Sequence, residues 1–192
     1  LLTTQFLGYP IELVEAGKLQ RLFATVFAIM AFAGGLFGLR QARWTELSAG
    51  YAYAAGAVGV SFAGDLITMF MFWEFMAIFS TVVVWCGGTD AARRAGVRYA
   101  LMHLVGGVIL KIGIEGVMVH TGSIDIRPLY LDTMDAWIVL AGVLVNAAAP
   151  PLSAWLSDAY PEASPFGAVF LSAFTTKTAV LALLLLFPGA EL

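Results

Sequence analysis

The feature that most constrains this chain is a succession of six apolar stretches, each close to the roughly 20 residues that carry a helix across a bilayer. They run over Leu22–Leu39, Leu47–Gly64, Leu66–Thr89, Tyr99–His120, Ala136–Ser157 and Ala163–Pro188. The runs are continuously apolar rather than alternating, which excludes a transmembrane β-barrel. Of the 192 residues, 60% are hydrophobic and 12% charged, against roughly 25% charged in a soluble domain. Disorder is excluded as well, because it requires low hydrophobicity. The sequence therefore predicts an all-α integral membrane protein, a bundle of about six transmembrane helices over residues 22–192. Its spans are expected near 22–39, 47–64, 66–87, 98–120, 135–157 and 164–187. Residues 1–21, with Pro10, Glu12 and Glu15, read as an interfacial N-terminal segment. The chain starts without Met or a basic n-region and stops just past an apolar run. Both ends read as cut, so a longer parent chain is expected.

Several boundaries have local causes. Gly64-Asp65 is a turn signal, with Asp65 placed to cap the next helix. Ser164-Pro165 gives the last span an N-cap followed by proline at the first helical position. Arg40 and Arg43 follow span one, and Arg93, Arg94 and Arg98 lie between spans three and four. Alternating helices put both groups on one side, predicted to be cytoplasmic. Lys18, Arg21 and Arg127 fall on the other. Trp44, Trp85, Trp137 and Trp155 sit near span ends, as interfacial tryptophans do.

Four ionisable residues sit deep in spans: Glu74, Lys111, Glu115 and Lys177. Each costs about 2.5–3.5 kcal/mol at a helix centre by insertion scales, so they are expected to face the bundle interior, pair, or line water. His103, Gly107, Lys111 and Glu115 recur every four residues and form a drifting stripe on span four. Lys111 and Glu115 can pair, and His103 titrates near neutral pH, as a proton relay needs. The alternative is an intrahelical ion pair with a structural histidine. Glu74 lies in Phe72-Trp73-Glu74-Phe75-Met76 with no cation one turn away on its own helix. It reads either as a reversibly protonated carboxyl or as a neutral acid joining two helices. Lys177, in Thr175-Thr176-Lys177-Thr178, is too central to snorkel comfortably to the interface.

Span five is expected to break. Pro150 has no N–H for the carbonyl of Asn146, nor Pro151 for that of Ala147. Freed carbonyls are tolerated in a membrane only beside protein or a water-filled cavity. Broken helices recur at transporter sites, although a purely structural kink is the alternative. No phosphate loop, nucleophile elbow or zinc spacing is present, so neither a cofactor, a metal nor a catalytic centre is expected. Cys86 stands alone. A net charge of −3 without a basic cluster makes nucleic acid an unsuitable partner.

Three segments carry a family resemblance. Gly64 through Glu74, reading Gly-Asp-Leu-Ile-Thr-Met-Phe-Met-Phe-Trp-Glu, resembles the acidic helix of the antiporter-like membrane subunits of respiratory complex I and multisubunit cation/proton antiporters. Pro150 through Ala163 is similar to that family's broken helix and following loop, and Phe170 through Lys177 to its next helix with its lysine. The matches cover roughly residues 20–192 in order and spacing.

The resemblance implies the first of two inverted five-helix repeats, with span one preceding it. It also implies a proton half-channel in which Glu74 is the acid controlling a neighbouring lysine and Lys177 a relay lysine. Two positions depart from the pattern. Asn146 stands where the family has its broken-helix lysine, and Ser153 where a histidine precedes the tryptophan. Lys111 is a candidate to take over part of the relay, paired with Glu115 and facing Glu74. The broken-helix lining is then expected at Asn146, Pro150 and Ser153, and the pathway at Glu74, Lys177, Lys111, Glu115 and His103.

Two functions follow. One is a proton or cation/proton translocating subunit working with other membrane subunits, in the lipid bilayer of a bacterial inner membrane and as part of an NADH-quinone oxidoreductase-like complex. The other is a degenerate relative retained as a structural subunit. A quinone-modifying enzyme has no residue constellation behind it.

Overall fold

The computed structural model describes residues 3–6 and 9–189. Two short strands, β1 (Thr3–Phe6) and β2 (Tyr9–Glu12), pair antiparallel as a hairpin. Among the described residues eight helices follow: α1 (Lys18–Gly38), α2 (Trp44–Phe62), α3 (Leu66–Trp85), α4 (Asp90–Thr121), α5 (Met134–Asn146), α6 (Ala154–Ala159), α7 (Pro165–Ala173) and α8 (Thr175–Leu186). They make six passes, because α5–α6 and α7–α8 are each one span interrupted. Helices α1, α3, α4 and the kinked Pro165–Leu186 unit are long and apolar enough to cross a membrane. Helix α5, with 13 residues, rises only about 20 Å at 1.5 Å per residue and is stopped by the break after Asn146.

The expected caps are present. The Asp65 carboxylate accepts from the Thr68 N–H at 2.8 Å and from its hydroxyl at 2.8 Å. It also accepts the Glu12 N–H at 3.0 Å, and this ties the hairpin to the α2–α3 turn. Within the N-terminal segment the described residues 3–6 and 9–12 are thus paired strands joined to that turn, and α1 starts at Lys18. Ser164 caps α7 by accepting from the Gly167 N–H at 2.9 Å, while its hydroxyl bonds the buried Glu46 carboxylate at the start of α2.

Helix α4 has 32 residues, roughly 48 Å at 1.5 Å per residue, and this exceeds a hydrocarbon core of about 30 Å. The reason is Thr89, which accepts from the Ala92 N–H at 2.9 Å and starts the helix well before the apolar run. Arg93, Arg94 and Arg98 therefore lie on its first turns rather than in a loop. Arg98 forms a two-pronged pair with Asp158 on α6 at 2.6 and 2.7 Å.

The core between the helices is dense and aromatic. Phe27, Tyr53, Tyr99, Phe166, Phe170 and Phe174 are fully buried. Trp155 differs from the interfacial expectation. It is buried, and its indole N–H donates to the Val145 carbonyl at 3.0 Å. Across the break the chain keeps following α4, with Trp155 against Tyr99 and His103 and Asp158 on Arg98, and this places the indole inside.

Candidate functional site

Among the described residues, four buried side-chain atoms have no hydrogen-bond partner: Glu74 Oε1, Tyr99 Oη, His103 Nε2 and Asn146 Oδ1. All lie on the adjoining helices α3, α4 and α5. An unsatisfied buried polar group costs about 1–3 kcal/mol, so a cluster of four points to a place built for water or for proton exchange.

Two consecutive glycines on α4 bring the cluster together. At Gly107 a β-carbon would collide with the Glu74 carboxylate, so that carboxyl from α3 lies directly on the α4 backbone. At Gly106 a β-carbon would come within 3.1 Å of Asn146 Nδ2 and 2.9 Å of the Val145 side chain. Glycine at both positions lets these side chains approach the α4 backbone closely, as small residues do in other membrane bundles.

One turn earlier, the His103 ring stacks on Tyr99 with centroids 4.0 Å apart and meets Trp155 edge-on at 4.8 Å. His103 Nδ1 is 3.1 Å from the Tyr99 carbonyl. A carbonyl only accepts, so Nδ1 carries the hydrogen, and in the neutral ring Nε2 is then the acceptor. Asn146, fully buried, donates through Nδ2 to the Gly142 carbonyl at 3.3 Å. Glu74 and His103 share a groove of about 470 Å³ between α3 and α4, also bordered by Ala77, Ile78, Thr81 and Leu104.

The span-four stripe does not stay together. His103 and Gly107 are buried, whereas the Lys111 and Glu115 side chains are 54% and 57% exposed and pair with one another. A four-residue step overshoots one turn by about 40°, so three steps rotate the stripe by about 120°, from the core to the outer face. Lys111 is therefore not brought to Glu74, contrary to the expectation of a facing pair. Lys177 is also on the outside. Its ammonium donates to the Ser172 carbonyl at 2.6 Å and to the Thr176 hydroxyl at 3.2 Å, across the α7–α8 kink.

The break is where the prolines place it, but only Asn146 of its expected lining reaches the buried cluster. Pro150 and Ser153 are exposed. Ala148 within the break has φ 56°, a left-handed conformation costly for a residue with a β-carbon. Sequence reasoning does not single out Tyr53, Tyr99 or Thr175 among the aromatic and hydroxyl residues of the spans. The available signal is position, and for Tyr53 alone, which falls inside its apolar stretch where span tyrosines favour the interfaces; Tyr99 stands at the start of its stretch.

Comparison with known proteins agrees with this architecture. The family profile described as "NADH:quinone oxidoreductase/Mrp antiporter, TM" matches residues 63–191. NADH-quinone oxidoreductase subunit N of Deinococcus radiodurans is 28% identical over 160 residues, 77% of this chain and 32% of that protein. A Na(+)/H(+) antiporter subunit from Bacillus subtilis is 24% identical over 189 residues, 91% of this chain and 38% of that protein. A chain of the membrane-bound sulfane sulfur reductase, an archaeal respiratory membrane complex, superposes with a TM-score of 0.81 at 24% identity, covering 93% of this chain and 40% of that one. This chain spans about a third of the length of the curated relatives it matches. The profile covers well over half of the sequence, and the chain belongs to the NADH:quinone oxidoreductase/Mrp antiporter transmembrane family.

Proposed function

We propose that this chain is a proton-translocating membrane module of a larger ion-transporting assembly in a bacterial inner membrane, with Glu74 as its exchanging acid. The observation that carries this reading is the Glu74 carboxylate, which lies against Gly107 with one oxygen unpartnered beside a groove shared with His103. A carboxyl held between apolar helices but open to a groove can load and release a proton without a fixed counter-ion. His103 supplies an acceptor nitrogen one turn away on the neighbouring helix. Asn146 can hold water by both ends of its amide, but it cannot carry the proton.

Lys111–Glu115 and Lys177 face outward near the middle of their spans. Charges at that depth are costly against lipid, and this supports their being covered by other protein segments of the assembly. There they would complete the pathway or fix the neighbouring helix.

The test is Glu74→Gln in sealed vesicles containing the assembled complex, with proton flux as readout. The expected loss is about a hundredfold or more, the scale of removing a positioned proton-transfer group. Unchanged flux overturns the proposal and leaves a structural role as the reading.

A further inference from the structure

We propose that the buried hydroxyls of Tyr99, Thr175 and Tyr53 form a proton relay from the Glu74–His103 groove across the core to the α7–α8 kink. The inference rests on the proton-translocating reading above. Tyr53, Tyr99 and Thr175 are 0%, 1% and 4% exposed and come from three different helices. None of them is needed to explain the groove.

At the groove end, Tyr99 is the residue on which His103 stacks. Its hydroxyl lies beside those of Ser80 and Thr175 but completes a hydrogen bond to neither. At the kink end, Tyr53 Oη accepts from the Thr175 N–H at 2.9 Å and shares a short hydrogen bond with the Thr175 hydroxyl. In that hydroxyl pair either oxygen can donate, as a relay requires, since each member must give one proton and take another. Together with the unpartnered His103 Nε2, the three residues connect α4, α8 and α2 without a charged side chain.

A proton arrives on His103 Nε2 from Glu74 through water, giving the imidazolium, and leaves the same nitrogen to a second water. That water protonates Tyr99 Oη as the Tyr99 hydroxyl proton moves to Thr175 Oγ1. The Thr175 proton moves to Tyr53 Oη, and Tyr53 releases its own to water at the kink. One proton crosses, and every hydroxyl ends neutral.

Proton flux in sealed vesicles of the assembled complex tests this with single-atom changes. Tyr99→Phe keeps the ring stacked on His103 and removes only the hydroxyl, with an expected fall in flux of about tenfold or more. Thr175→Val should fall similarly, whereas Thr175→Ser, which keeps the hydroxyl, should retain flux. Tyr160→Phe is the control, because that hydroxyl donates to the Leu171 carbonyl at 2.6 Å and lies outside the relay.

Full flux in Tyr99→Phe overturns the relay, and so does a Thr175→Ser variant as slow as Thr175→Val, which would make the residue structural. Where Tyr99→Phe fails to assemble, the Thr175 pair decides. Glu74→Gln separates the two levels. If that variant is silent, the proton-translocating reading falls; if it abolishes flux while Tyr99→Phe does not, only the relay falls.

Discussion

The molecule interrupts two of its spans, and it does so by different means. Between α5 and α6 the chain leaves helical geometry for residues 147–153, driven by Pro150-Pro151. Between α7 and α8 a single residue, Phe174, departs, with φ −114° and ψ −66° and neither proline nor glycine beside it. The first interruption is redundantly satisfied. The Val145 carbonyl accepts from the Ala148 N–H at 3.2 Å as well as from the Trp155 indole at 3.0 Å.

The second is held by individual side chains. The Thr175 N–H is taken by the Tyr53 hydroxyl, and the Ser172 carbonyl by Lys177. A break encoded in the backbone tolerates loss of a side chain; a kink held by side chains does not. The residues at the kink are therefore the ones whose removal should be felt, although the break looks the more disruptive.

That contrast can be broken by measurement, starting from the largest expected effect on stability. Tyr53→Phe strands the Thr175 N–H in the core and should destabilise the chain by about 1–3 kcal/mol, read as thermal unfolding in detergent. Trp155→Phe removes one of two donors to a carbonyl that keeps the other. Beyond the packing lost with the smaller ring, it should cost about 0.5–1 kcal/mol. A Trp155→Phe cost equal to that of Tyr53→Phe would erase the distinction between the two interruptions.

Ala148→Gly relieves the left-handed residue inside the break but frees the unfolded chain, so a gain of about 0–1 kcal/mol is expected. A destabilisation there instead would mean that the break, too, depends on a side chain. Lys177→Met sharpens the comparison from the other side. If the ammonium serves only as a carbonyl cap, unfolding shifts and proton flux holds; if it also carries protons, flux falls with it.

Much of this was legible in the sequence, and the reasons differ by residue. The break at Pro150 followed from a missing N–H, a covalent fact that no packing can override. Asp65 and Ser164 were readable as caps because their partners are three residues away. The Lys111–Glu115 pair followed from i,i+4 spacing. Its direction did not, since period four is close enough to 3.6 to suggest one face yet drifts off it within three turns.

Glu74 and His103 each stand out in the sequence, but their sharing one groove between α3 and α4, with Glu74 laid on Gly107, is a tertiary fact. The kink at Phe174 left no local mark. The Thr175 N–H it frees is taken by a tyrosine on α2, so the threonines there are visible along the helix but their partner is not.

The adjacent glycines of α4 have a mechanical consequence. Gly106 presents bare backbone to Asn146 on α5, and Gly107 presents it to Glu74 on α3. The same short segment is thus the bearing surface for both neighbours. A rotation of α4 about its axis would therefore carry both glycines off their neighbours together, and the acid on one flank and the amide on the other share a single stretch of supporting backbone.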